Sequence, residues 1–178
     1  LQAFEATTAD EWMGLVRRVE SLGYATLFST DHYFGPGPIA DSSGHRPVDM
    51  SPVVSIAYAA AVTTSLRVGC RVFACDYHHP VVLAKEMATL DLLSGGRLEV
   101  GLGAGWVRDE YDGLGITMAR PGVRIERLRE TVDLMRAHWS GEPIEQHGTH
   151  VDVSGFSGRP LPVQRPGSGD RSGPPIMI

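Results

Sequence analysis

The residues of this chain best suited to chemistry stand directly after runs of strand type. Asp31-His32 follows the run at residues 25–30. Imidazole exchanges a proton near neutral pH, so His32 could give or take one as a hydride moves beside it. The other reading is a hydrogen-bonded loop histidine, with Asp31 capping the turn. Gly103-Ala104-Gly105 follows Leu98, Val100 and Leu102. Glycines there let backbone N–H groups approach a ring carbonyl or a phosphate, although a tight strand-to-helix turn also needs them. Trp106 could stack on a ring, wall a pocket or simply pack. Arg71 sits within a strand. Facing inward it needs a partner, Asp31 or a cofactor phosphate, because an unpaired buried charge is costly; facing outward it is ordinary surface. His79, just before Pro80, is expected to cap a helix or reach the edge of a site. Cys70, Cys75, His78 and His79 fit no zinc spacing, so no metal is expected. Cys70 and Cys75, on opposite faces of one expected strand, are read as reduced thiols.

These residues need a scaffold, and residues 66–106 describe it most clearly. Val68, Val72 and Phe73 lie in a β-branched and aromatic run. Pro80 opens a helix whose apolar positions are Leu83, Met87, Leu90 and Leu93, and Ser94-Gly95-Gly96 stops it. A second strand ends at the glycine turn. One βαβ unit of this kind places a ligand at the carboxyl ends of parallel strands. Upstream, Leu1-Gln2-Ala3 reads as the tail of a strand. Thr8 and Glu11 have capping-box spacing before a helix marked by Trp12, Leu15, Val16, Val19 and Leu22. Residues 33–50 and 103–120 read as loops, and Pro52 begins a helix to about Thr63.

Downstream, Ile125, Leu128, Val132, Met135 and Trp139 mark a helix from about Pro121 to Trp139, with Arg120, Arg124, Arg127 and Arg129 as its solvated face beside Glu126 and Glu130. Residues 142–153 suit a hairpin turning at His147-Gly148. Residues 154–173 read as a flexible excursion before the strand resumes at Pro174–Ile178. The alternation implies an α/β fold with a parallel sheet, either doubly wound or a (β/α)8 barrel. About four and a half repeats are present where a barrel needs roughly 250 residues. The 178 residues are therefore expected to be a single domain forming part of a longer polypeptide.

Composition narrows the classes. A formal charge of −5 argues against a nucleic-acid partner, and no apolar run reaches the roughly 20 residues of a membrane span. Lys85 is the one lysine among sixteen basic residues and asparagine is absent, a bias expected of a GC-rich bacterium. The cytoplasm is the expected compartment.

Several stretches resemble the luciferase-like monooxygenase superfamily, and within it the coenzyme F420-dependent oxidoreductases known largely from actinobacteria. They are Gly23-Tyr24, Asp31-His32, Arg67–Phe73, the run 79–85, the run 88–97, Gly101–Trp106 and Glu110-Tyr111. The resemblance implies a TIM-barrel fold of which this chain supplies the N-terminal four to five βα units. It also implies a hydride-transferring enzyme acting on a small organic substrate with F420, or alternatively with FMN. His32 would be catalytic, and Asp31, Arg71, Val72, Gly103, Ala104, Gly105 and Trp106 would bind the cofactor. Arg71-Val72 matches a cis peptide in a bulge behind the ring. Trp106 replaces a catalytic Glu of some deazaflavin dehydrogenases, which speaks against the sugar-phosphate reaction. A homodimer is expected. An FMN monooxygenase fed by a reductase and a non-catalytic half-barrel binding module are the alternatives.

Overall fold

The computed structural model describes residues 1–3, 5–164 and 173–178. Its elements are α1 (Ala9–Ser21), β1 (Thr26–Ser29), α2 (Pro38–Ser43), α3 (Pro52–Val62), β2 (Arg67–Ala74), a 3₁₀ turn (Cys75–Tyr77), α4 (Pro80–Ser94), β3 (Leu98–Gly103), α5 (Arg108–Gly113), α6 (Pro121–Ser140), β4 (Pro143–His147), β5 (Asp152–Ser157) and β6 (Ile176–Met177). Strands β1-β2-β3-β6 pair in that order, all parallel. Leu1–Ala3 extends the sheet on the β1 side through a parallel bridge between Gln2 and Phe28. Five parallel segments in chain order, joined through α1, α3, α4 and α6, form an open arc of an α/β barrel. Among the described residues no helix is long and apolar enough to cross a membrane.

Trp12, Val16, Val19, Ile56, Leu83 and Met87 from the helices meet Leu27, Val68, Phe73, Val100 and Leu102 from the strands in one buried core. Thr8 accepts the Glu11 N–H at 3.1 Å and starts α1, while the Glu11 carboxylate closes on Thr7 instead of on Thr8. Arg97 bonds Ala60 O, Leu66 O, Ser94 O and the Thr63 hydroxyl, covering free carbonyls at the end of α3.

At the α3–β2 turn, Glu20 accepts the N–H groups of Thr64, Ser65 and Leu66. The Ser65 N–H above all holds this carboxyl down at about 2, against an ordinary 4.5. A folded pKa below the unfolded one contributes stability above the unfolded value and loses it on acidification. The gap in melting midpoint between the wild type and Glu20→Gln is therefore expected to be full above about pH 4.5 and to close as pH falls towards about 2. A gap independent of pH would contradict it.

Several expectations need correction. Residues 33–50 and 103–120 are not plain loops; each holds a short helix, α2 and α5. The hairpin runs on to Ser157, so 154–157 are strand. Residues 158–164 are tied down as well: Asp91 accepts both the Val163 and Gln164 N–H groups. The rest of the expected excursion, 165–172, lies outside the described residues. Cys75 is past the strand in the 3₁₀ turn, and both thiols are free and buried; burial pushes the Cys75 thiol up to about 12. Glu130 is buried and accepts the N–H groups of Thr149, His150 and Val151, locking the hairpin loop to α6. Arg124 and Arg127 do not lie on a solvated face, since both reach protein acceptors. Leu93 and Ile125, at apolar positions of their helices, are exposed.

Candidate functional site

The carboxyl ends of β1, β2 and β3 converge with the strand formed by Leu1–Ala3 around a cleft of about 170 Å³. Asp31, His32, Arg71, Val72, Gly105 and Trp106 all line it. These residues come from three different strand ends, so the parallel sheet alone brings them together. Gly103 and Ala104 are not part of the lining. Gly103 is occupied in packing, since a Cβ there would lie 2.5 Å from Val72 Cγ2. Ala104 turns its carbonyl towards Tyr111 and Arg124.

Val72 enters the cleft because β2 is irregular there. The Arg71–Val72 peptide is cis, and the β2–β3 register shifts between Cys70 and Phe73. Arg71 is exposed, and no carboxylate pairs with it among the described residues. Its expected protein partner, Asp31, is taken: Asp31 Oδ2 accepts the Ala74 N–H at 2.9 Å and bonds His78 Nε2 at 2.8 Å. His79 holds the start of α4 through its carbonyl, which accepts the Leu83 N–H; its side chain makes no capping bond.

His32 is held by a residue that the site assignment from sequence missed. Its Nδ1 lies 2.9 Å from Glu110 Oε2, and Glu110 is 2% exposed. The same carboxylate accepts the Tyr33 N–H at 2.6 Å and the Tyr77 hydroxyl at 3.0 Å. Burial pushes the Glu110 carboxyl up, but bonds from His32, the Tyr33 N–H and Tyr77 outweigh it and leave the group below the ordinary carboxylate range. Burial, reinforced by Glu110, drives the Tyr77 phenol up. An ionised carboxylate only accepts, so the proton sits on Nδ1 and neutral His32 keeps its lone pair on Nε2. His45 at 4.4 Å, Phe34 at 5.1 Å and an edge-on Trp106 at 6.1 Å (ring centroids) surround the imidazole. Trp106 is 58% exposed, a wall rather than core packing.

Two polar atoms of cleft residues, Thr30 Oγ1 and Asp31 Oδ1, are buried without a hydrogen-bond partner among the described residues. Buried polar groups are normally satisfied. Together with the apolar Val72 in the wall, the Arg71 that no carboxylate pairs with among the described residues, and Gly105 at the edge, they suit a planar, polar-edged, partly anionic group such as a flavin or deazaflavin.

The sequence profile of the luciferase-like monooxygenase family matches residues 2–178. An uncharacterised protein of Mycobacterium tuberculosis is 36% identical over 160 residues, 83% of this chain and 55% of its own length. An F420-dependent glucose-6-phosphate dehydrogenase of Kribbella flavida is 31% identical, covering 83% and 43% respectively. The chain thus spans about half the length of the curated relatives it matches. Among solved structures, the monooxygenase RslO1 from Streptomyces bottropensis superposes with a TM-score of 0.77 at 28% identity, over 94% of this chain and 46% of that one. An F420-dependent secondary alcohol dehydrogenase, in complex with an F420-acetone adduct, shares the fold with a TM-score of 0.73 at 20% identity, over 86% and 45%. With the profile spanning the parallel arc and the whole strand-end cleft, the chain belongs to the luciferase-like monooxygenase family.

Proposed function

We propose that the intact protein is a cytoplasmic oxidoreductase that passes a hydride between coenzyme F420 and a small organic substrate. The observation that carries this reading is the His32–Glu110 pair, fixed at the cleft beside the Val72 bulge and the Gly105 edge. When bound, the deazaflavin ring supplies the centre that gives or takes hydride. Val72 would back the ring, and Thr30 Oγ1 and Asp31 Oδ1 would be left to meet its polar edge. Arg71 would hold an anionic part of the cofactor. His32 Nε2 gives or takes the substrate proton, and Glu110 holds the imidazole in the tautomer this requires.

F420 is favoured over FMN by the likeness to the F420-dependent dehydrogenase of Kribbella flavida. The monooxygenase reading is supported by the likeness to RslO1 and to the 4-hydroxyprotoasukamycin monooxygenase of Streptomyces nodosus, 32% identical over 131 residues. A homodimer is part of the proposal: Val54 on α3 and Val82 and Leu93 on α4 stand 53–78% exposed. Fluorescence titration is expected to give saturable F420 binding, tighter than FMN, at a dimer mass by light scattering. Tighter FMN binding with oxygen consumption on reduced FMN selects the monooxygenase. Binding of neither cofactor removes both readings.

A further inference from the structure

The geometry points to Arg124 as a positioning residue that turns the backbone amides of Gly105 and Trp106 towards an oxygen of the cofactor, a ring carbonyl or a phosphate. The inference rests on the flavin or deazaflavin reading of the cleft.

Arg124 lies in the first turn of α6, and its guanidinium reaches three carbonyls on two loops. Nε donates to Ala119 O at 3.0 Å; Nη1 donates to Ala104 O at 3.0 Å and also to Gly105 O. A second brace meets the same loop. The Tyr111 hydroxyl lies 3.3 Å from Ala104 O and 3.0 Å from Asp76 Oδ2, and Asp76 is paired with Arg127 one turn along α6. Gly105 has φ +71°, and a Cβ there would lie 1.9 Å from the Tyr111 hydroxyl, so the loop is pressed against that ring.

In a planar trans peptide the N–H points opposite to the C=O. With the carbonyls of Ala104 and Gly105 drawn to α6, the amides that follow them, those of Gly105 and Trp106, turn away from α6. Both residues line the cleft, and neither amide donates to another described residue. Two free donors on adjacent residues suit an oxygen acceptor. Of the neighbouring arginines, Arg127 acts on the loop only through Asp76 and Tyr111, and Arg120, just before the helix, and Arg129 are exposed.

The test compares the intact wild type with Arg124→Met, Arg124→Lys and the control Arg129→Met. The first readout is amide hydrogen exchange of residues 104–107 without cofactor. The second is the dissociation constant for F420, FMN and riboflavin. Arg124→Met is expected to speed exchange and to weaken cofactor binding by about tenfold or more, with a melting midpoint near that of the control. Arg124→Lys, with one donor centre in place of a fork, should fall between. Millimolar guanidinium should restore binding to Arg124→Met and leave the control unchanged. Equal losses for FMN and riboflavin identify a ring carbonyl; a loss confined to FMN identifies the phosphate. Wild-type exchange and affinity in Arg124→Met overturn the inference, and if that variant does not fold, the same result in Arg124→Lys does so. A wild type that binds no cofactor defeats the reading of the cleft instead, and the exchange arm still judges Arg124.

Discussion

Replacing His32 by Ala is expected to lower cofactor-linked turnover by roughly 10²–10⁴-fold, the usual contribution of a positioned general acid or base. Cofactor affinity should change little, because in the proposed arrangement Val72 and Gly105, not His32, would back and edge the ring. The companion variant is Glu110→Gln. It preserves the shape and the acceptor for the Tyr33 N–H, but it removes the anion and can turn an amide donor towards His32 Nδ1. The imidazole then loses the interaction that fixes its tautomer, and kcat should fall by at least about tenfold with the cofactor dissociation constant unchanged. The measurement is turnover at saturating cofactor on any substrate the wild type converts. An undiminished rate in His32→Ala removes the imidazole from the mechanism. A Glu110→Gln variant that loses cofactor affinity instead of rate assigns the carboxylate to binding.

The second large effect lies in the sheet under the cleft. Gly101→Ala is expected to destabilise the fold by about 3 kcal/mol or more, the upper end of what overpacking costs. Its Cβ would lie 2.4 Å from Cys70 O and 2.9 Å from Val72 Cγ1. The first obstacle is backbone, which no rotamer change can move. For a domain of this size the melting midpoint should drop by roughly 6–12 °C. Gly103→Ala is milder in stability and more telling for function. Its Cβ meets Val72 Cγ2 at 2.5 Å, and valine is stiff about χ1, so the clash is relieved by moving the bulge itself. A loss of about 1–3 kcal/mol with clearly weakened cofactor binding is expected. Thermal denaturation beside the titration checks both, and an unshifted Gly101→Ala midpoint contradicts the close approach of β2 to β3.

Much of the scaffold was legible because its signals are local. Thr8 and Glu11 mark the start of α1, Pro52, Pro80 and Pro121 open three helices, and Leu98, Val100 and Leu102 alternate as a strand. Asp31-His32 and, of the 103–106 turn, Gly105 and Trp106 were legible as cleft residues because clefts in parallel sheets open at strand ends. What escaped are polar contacts over long separations: His32 with Glu110, 78 residues apart, and Asp31 with His78, 47 apart. No periodicity encodes such a pairing. Arg124 and Glu130 looked solvated for the same reason, since their acceptors and donors belong to loops outside α6.

The order of residue types by itself determined the alternating elements, the parallel arrangement and the strand ends around which the cleft opens, because side-chain period and turn chemistry act within a few residues. The tertiary structure alone decided which carboxylate holds His32, that Arg71 has no protein counter-charge among the described residues, and that Gly103 serves the bulge rather than the cleft. Those outcomes depend on which side chains are left facing one another once the strands pair and the helices close over them, and on the cost of burying a charge or a hydrogen-bonding group without a partner.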